Sequence, residues 1–140
     1  IINRVAEDSF EVGPVDKKFE IKETYQQKYI RQYLDFYSSI YIEAYDNSYS
    51  LKDSMMQTVP FATITITEKD NSVNKVNLFR MPLNKRSKAQ FDENGNEITY
   101  DIDHFHASIH DGKDWAIAQY YVLGKLLRNY KDFYFRPAGK

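Results

Sequence analysis

Residues 101–111 hold all three histidines of the chain, together with Asp101, Asp103, Ser108 and Asp111. Side chains alternate along an extended strand, so His104 and His106 share a face, with Ser108 beyond them. Two imidazoles at that spacing can ligate one zinc, nickel or copper ion, and an Asp can complete the set. The chain would then be a metal-dependent binding protein or hydrolase using His104 and His106. Strand parity argues against this, because a regular strand turns Asp101 and Asp103 away from the histidine face. His110 falls past the expected strand end, and there is no cysteine to serve as a ligand. A third ligand must come from elsewhere, with Glu43 and Asp53 as examples. Histidines on the open face of a sheet are more often surface residues than ligands, so the metal reading stands second and no cofactor is expected.

Other reactive combinations are weaker. Asp111 with Asp114, or Glu93 with Glu97, could serve acid/base chemistry only if they flanked a substrate at set distances. Their spacing shows nothing of the kind. Residues 92–97 (DENGNE) have the oxygen content of a calcium loop, but their flanks read as strands, and Asn94-Gly95 is a tight-turn signal. There is no phosphate-binding glycine loop and no nucleophile elbow. Tyr25, Tyr29, Tyr33 and Tyr37 recur every fourth residue, forming one stripe on a helix. Such a stripe is more often core or interface than a ligand platform. Any exposed part of it could contact a partner protein or stack on sugars, as in a carbohydrate-binding module.

The elements that must position these residues follow from periodicity. Val5, Phe10 and Val12, then Phe19 and Ile21, suggest two strand-like pieces broken at Gly13-Pro14. From Thr24 the period lengthens, and Tyr29, Ile30, Tyr33, Leu34 and Tyr37 predict a long helix starting at Glu23 or Thr24. Residues 40–45 (IYIEAY) suit a strand. Residues 46–60 are polar and turn-rich. Phe61 to Thr67 alternates Thr with apolar residues, Asp70-Asn71-Ser72 supplies a turn, and Val73 to Phe79 returns as its partner. Ile64 and Ile66 should face inward, and Thr63, Thr65 and Thr67 outward. Two more hairpins are expected, 89–91 with 98–102 and 105–109 with 115–118. A short helix follows around Tyr121 to Leu127, although 114–127 fits one longer helix equally well. Phe133-Tyr134-Phe135 reads as a last extended piece before Pro137. The predicted class is α+β: an antiparallel sheet built from hairpins, with one long and one short helix packed on one face.

Composition sets the outer limits. A length of 140 residues usually makes one domain, so 1–140 is read as a single unit. Net charge is −1, too small a field to attract nucleic acid or an anionic membrane. The only basic run, 85–88 (KRSK), reads as a solvated loop before a phosphate or partner contact. Absence of cysteine rules out disulfides and thiolate chemistry in this segment. No run reaches the roughly 20 apolar residues of a membrane span. The chain starts at Ile1 without a signal peptide, which suggests a piece of a longer protein.

Four segments, 29–34 (YIRQYL), 53–67 (DS at its start, VPFATITIT at its end), 100–105 (YDIDHF) and 115–122 (WAIAQYYV), carry a resemblance. The chain resembles the C-terminal part of an uncharacterised bacterial cell-envelope family, a domain of unknown function in membrane- or lipid-anchored proteins. The resemblance implies an address in the envelope or periplasm and a non-catalytic interaction or scaffolding role. Its partners would be the rest of its own chain or another envelope protein, with the membrane reached only through an upstream anchor. It implies no catalytic residue. The tyrosine stripe, Tyr25, Tyr29, Tyr33 and Tyr37, is the interaction surface this reading prefers.

Overall fold

In the computed structural model, which describes residues 1–134, the first residues form a tight hairpin: β1 (Ile2–Ala6) pairs antiparallel with β2 (Ser9–Val12). Both strands lie before Gly13, so the break expected at Gly13-Pro14 comes after a complete hairpin. The Arg4 guanidinium donates to the Glu7 carbonyl and closes the turn. The second expected piece is not a strand. Asp16 accepts from the Lys18 N–H and starts a 3-10 turn at Lys17–Phe19, giving that backbone a local partner in place of a sheet.

Helix α1 (Gln27–Asp35) begins later than its periodicity suggested. Tyr25 is held in an isolated antiparallel bridge with Tyr134, and Gln26 N–H donates to the Phe133 carbonyl, so both are extended. A 3-10 turn, Phe36–Ser39, continues the helix. Ile30 is fully buried with Val12, Phe133 and Tyr134. Tyr33 and Leu34 pack on this cluster but remain half-buried, so the apolar stripe of the helix is only partly covered. Phe133 ends a 3-10 turn, Tyr130–Phe133, capped reciprocally by Asn129 and Asp132. Of the predicted last strand only the bridge at Tyr134 is present; Phe135 and Pro137 lie outside the described residues. These elements make one compact unit, from Ile1–Ile40 and residues 125–134. Tyr41–Gly124 makes a second.

The second unit is a five-stranded antiparallel sheet in the order β3-β7-β6-β5-β4. Its strands are β3 (Ala44–Tyr45), β4 (Ala62–Thr67), β5 (Val73–Pro82), β6 (Tyr100–Ile109) and β7 (Asp114–Gln119). Together with the two-stranded sheet and short helices, it makes the chain α+β, as its periodicities predict. A helix absent from the sequence reading, α2 (Lys52–Met56), interrupts the polar stretch between β3 and β4. The β4–β5 hairpin turns through Asn71 at φ 66°, with Asp70 accepting from the Ser72 N–H. Thr63, Thr65 and Thr67 are exposed and Ile64 is partly covered. Ile66 is 37% exposed, against expectation, because β4 is the sheet edge and Ile66 lies near its turn. The hairpin expected around Asn94-Gly95 shrinks to a single bridge, Phe91 with Glu97. Of residues 40–45 only Ala44 and Tyr45 are a strand, paired to Ile117 and Ala116.

β6 and β7 join through His110, Asp111 and Gly112, all at positive φ. Gly112 at φ 82° is the residue best suited to that backbone. The ambiguous stretch 114–127 resolves into strand and short helix. β7 stops at Gln119, α3 (Tyr120–Leu123) follows, and a 3-10 turn runs over Gly124–Leu126. α3 packs on β6 and β7, burying Val122 and Leu123.

Candidate functional site

A distortion in β6 builds the site. β5 and β6 are in register from Asn77↔Ser108 to Arg80↔Phe105, and the next pair is Pro82↔Tyr100. Met81 alone therefore faces residues 101–104 of β6, a pronounced bulge. A bulge leaves backbone donors without ladder partners. Here the Asp101 carboxylate takes them: Oδ1 accepts from the N–H groups of Asp103 (2.8 Å) and His104 (2.9 Å). The bulge also reverses parity, which corrects the expectation that Asp101 points away from the histidines. Asp101, His104 and His106 all line one pocket of about 240 Å³ on the five-stranded unit.

His104 is held at both ends. Its Nδ1 lies 3.2 Å from Asp101 Oδ1 and its Nε2 3.2 Å from Glu43 Oε2. A neutral ring donates from one nitrogen only, whereas an imidazolium satisfies both carboxylates. Arg86 Nη2 donates to the other Glu43 oxygen at 3.1 Å, and Ser87 Oγ donates to Asp101 Oδ2 at 2.6 Å. The basic run 85–88 is thus not simply a solvated loop, since two of its four residues tie into the pocket wall. Asp101 is buried, which alone would raise its pKa. Hydrogen bonds from Ser87, from the Asp103 and His104 backbone and from the His104 ring outweigh burial and hold it below the usual carboxylate range. Ser87, Asp101 and His104 have the composition of a nucleophilic triad but not its order. The hydroxyl contacts the carboxylate, where nucleophilic catalysis requires it to contact the base.

His106, 2% exposed, lies among aromatic rings. Trp115 Nε1–H donates to its Nδ1 at 3.0 Å, and the Tyr49 ring lies over it with centroids 4.5 Å apart. An indole nitrogen can only donate, so Nδ1 must be the bare acceptor and Nε2 carries the proton. That Nε2 is buried and has no hydrogen-bond partner. Leaving a buried donor unpaired costs about 1–3 kcal/mol. Burial pushes the His106 pKa down, against the smaller opposing influences of the Asp46 charge and the Ala116 backbone. The Tyr49 hydroxyl is shifted up by burial and by the Asp46 charge.

Strand pairing brings in the acids that sequence reasoning placed poorly. Glu43 N–H donates to the Ile117 carbonyl and Asp46 N–H to the Trp115 carbonyl, so both ends of β3 are anchored on β7. Asn47 Oδ1 then accepts from Trp115 N–H at 2.7 Å and fixes the chain leading to Tyr49. Glu43, one of the two third-ligand examples, therefore reaches His104 but makes no contact with His106. Asp53 lies in α2 and does not line the pocket. Among the described residues, no group of three or more His, Asp or Glu is arranged to hold a metal ion. Three ring nitrogens of the His104–His106 pair already have partners, and the fourth is His106 Nε2.

The remaining candidates are occupied locally. His110 Nδ1 lies 2.7 Å from Asp114 Oδ2 in the β6–β7 turn, and Asp92 accepts from Asn94 and Asn96 within its own loop. In the tyrosine stripe, Tyr33 OH donates to the Leu126 carbonyl at 3.1 Å and lies 2.8 Å from Tyr37 OH. Tyr33 also meets Phe133 edge-to-face, and Tyr25 meets Tyr134 in the same way. Of the four, only Tyr29 is exposed.

Asp46 and Tyr49 escaped the sequence reading, and Arg86 and Ser87 were legible only as part of the basic run 85–88. One local signal pointed toward the first two: an acid and an aromatic directly after the strand-like run 40–45, in the segment 45–49 (YDNSY). Among the described residues no helix is long and apolar enough to cross a membrane. Comparison of the chain with family models, with curated proteins and with solved structures gives no match.

Proposed function

We propose that this chain is a non-catalytic binding module whose recognition site is the pocket of the five-stranded unit. One observation carries the reading: Glu43, Asp101, Arg86 and His104, tied together by ion pairs and hydrogen bonds, line a pocket of about 240 Å³ with an apolar wall. The apolar wall of Met81, Leu83 and Ile117, with a few convergent polar groups, has the composition of a small-molecule site. An envelope location and a scaffolding role, which rest on the resemblance alone, belong to the same proposal. Fractionation of cells making the native protein tests the location.

Trp115 is the only tryptophan of the chain and touches His106, so its fluorescence reports on the pocket. The test is a screen of small polar compounds read by that fluorescence and by amide chemical shifts. Saturable shifts should cluster at Tyr49, His104 and His106 and weaken in Tyr49→Ala. Hits confined to the exposed Tyr29 would instead favour the tyrosine-surface reading, including sugar stacking.

A further inference from the structure

We propose that β4 is a self-association edge: it pairs antiparallel with β4 of a second copy about a two-fold axis at Thr65, making one continuous sheet across two chains. The surface is separate from the pocket and does not depend on it.

Backbone bonding is the first argument. β4 ends the sheet order, and β5 is its one strand neighbour among the described residues. In an antiparallel pair alternate residues exchange hydrogen bonds with the partner strand, and those between them turn N–H and C=O outward. Glu68 N–H donates to the Ser72 carbonyl, which sets the phase of the register running from Thr67↔Val73 to Ala62↔Leu78. Residues 62, 64 and 66 bond to β5, so Thr63, Thr65 and Thr67 present free donors and acceptors on the open edge. Among the described residues no loop or side chain takes them. Natural edges are blunted by brevity, proline, charge or a bulge. The opposite edge, β3, is two residues long. β4 runs for six, without proline or charge, and its pairing with β5 has no shift in register.

The occupant follows from the sequence of this edge. The three outward residues are symmetric about Thr65. A two-fold register of Thr65 on Thr65 sets Thr63 opposite Thr67 of the second copy and uses every free group. The same register sets Ile64 opposite Ile66 of the second copy, in a pair without hydrogen bonds, where side chains come closest. That contact covers Ile66, 37% exposed in the single chain. Self-pairing thus puts apolar against apolar on one face and Thr against Thr on the other, which a partner of unrelated sequence matches only by chance. Charge agrees with it. Residues 61–67 carry none, and a net charge of −1 gives two copies little repulsion. Glu68 falls opposite Ala62 of the second copy, one residue from Phe61, over whose ring Arg80 lies at 4.5 Å. An acid and a base therefore approach each other at both ends of the interface.

A single strand pair is a small contact, so assembly belongs in the range of about 10 µM to about 1 mM. Sedimentation of the whole chain should show monomer passing to dimer over that range. Amide exchange at Thr63, Thr65 and Thr67 should slow with concentration, more than at Ile64. Thr65→Lys sets two cations opposite each other at an exposed position and should weaken the dimer at least about fivefold, with Trp115 fluorescence unchanged. Thr65→Glu should do the same. Mixing the two variants should restore a dimer containing one of each, because residue 65 faces its own copy. Thr65→Pro removes an outward N–H and no bond to β5, so it should give a folded monomer and decides the matter if either charge disturbs the fold. A parent that stays monomeric at about 1 mM overturns the proposal, even if an added extended peptide protects the edge amides. A dimer that survives both Thr65→Lys and Thr65→Pro, or a mixture of Lys and Glu variants that stays monomeric, overturns it as well.

Discussion

Trp115 and His106 are joined by a buried hydrogen bond of 3.0 Å between neighbouring strands, with their rings 5.1 Å apart and tilted by 34°. The bond decides the histidine tautomer, because protonating Nδ1 would set two donors against each other. We expect long-range proton–nitrogen spectra at pH 7 to show Nε2 protonated and Nδ1 bare. The reverse tautomer would contradict the geometry on which the donor assignment rests.

The same residue makes stability depend on pH with a definite sign. Burial lowers the folded-state pKa of His106 below its unfolded value of about 6.5. Below that value the unfolded chain takes up a proton that the folded chain does not. Stability from this group is therefore complete above about pH 6.5 and declines as pH falls toward the folded pKa. Urea midpoints at pH 7.5 and 5.5 should show a smaller decline in His106→Phe than in the parent. Equal declines would remove His106 from the account.

Asp101 sustains the β6 bulge with four hydrogen bonds to one carboxylate. Asp101→Ala leaves two backbone donors unpaired and His104 with Glu43 alone. It should cost at least about 2 kcal/mol in a urea titration, given about 1–3 kcal/mol per buried unsatisfied group. A loss under 0.5 kcal/mol would mean that water replaces the carboxylate without penalty.

In the smaller unit, hydroxyls run in a chain from Tyr37 to Tyr33 to the Leu126 carbonyl. Burial, then the Tyr33 hydroxyl, pushes the Tyr37 pKa above that of an ordinary phenol. Tyr33→Phe removes both links, so it should destabilise by about 1–2 kcal/mol, and Tyr37→Phe by about half as much. The order is the diagnostic: a larger loss for Tyr37→Phe would reverse the donor assignment.

Ile30 and Leu34 sit one helical turn apart with different cover. Ile30 is 0% exposed, so Ile30→Ala should cost about 2–5 kcal/mol, while half-buried Leu34→Ala should fall near 1–2 kcal/mol. Equal losses in urea titrations would show that Leu34 is more covered than its position indicates.

Much of the fold is legible along the chain because its signals are local. Thr63, Ile64 and Thr65 alternate, Asp70 to Ser72 turn, and Val73 to Phe79 return, so β4 and β5 follow from a period of two and a turn. His104 and His106 share a face for the same reason, and the stripe through Ile30 marks a helix. The site depends on relations between distant segments that no local period encodes. Four residues of β6 against Met81 bring Asp101 round to the histidines. Two residues of β3 on β7 carry Glu43 and Asp46 to them. Arg86 and Ser87 arrive on a loop whose sequence shows only charge. Periodicity determines which way a side chain faces on its own strand. Register, bulges and edge pairing determine what it faces, and those are set by long-range packing and by the need to pair every buried polar group.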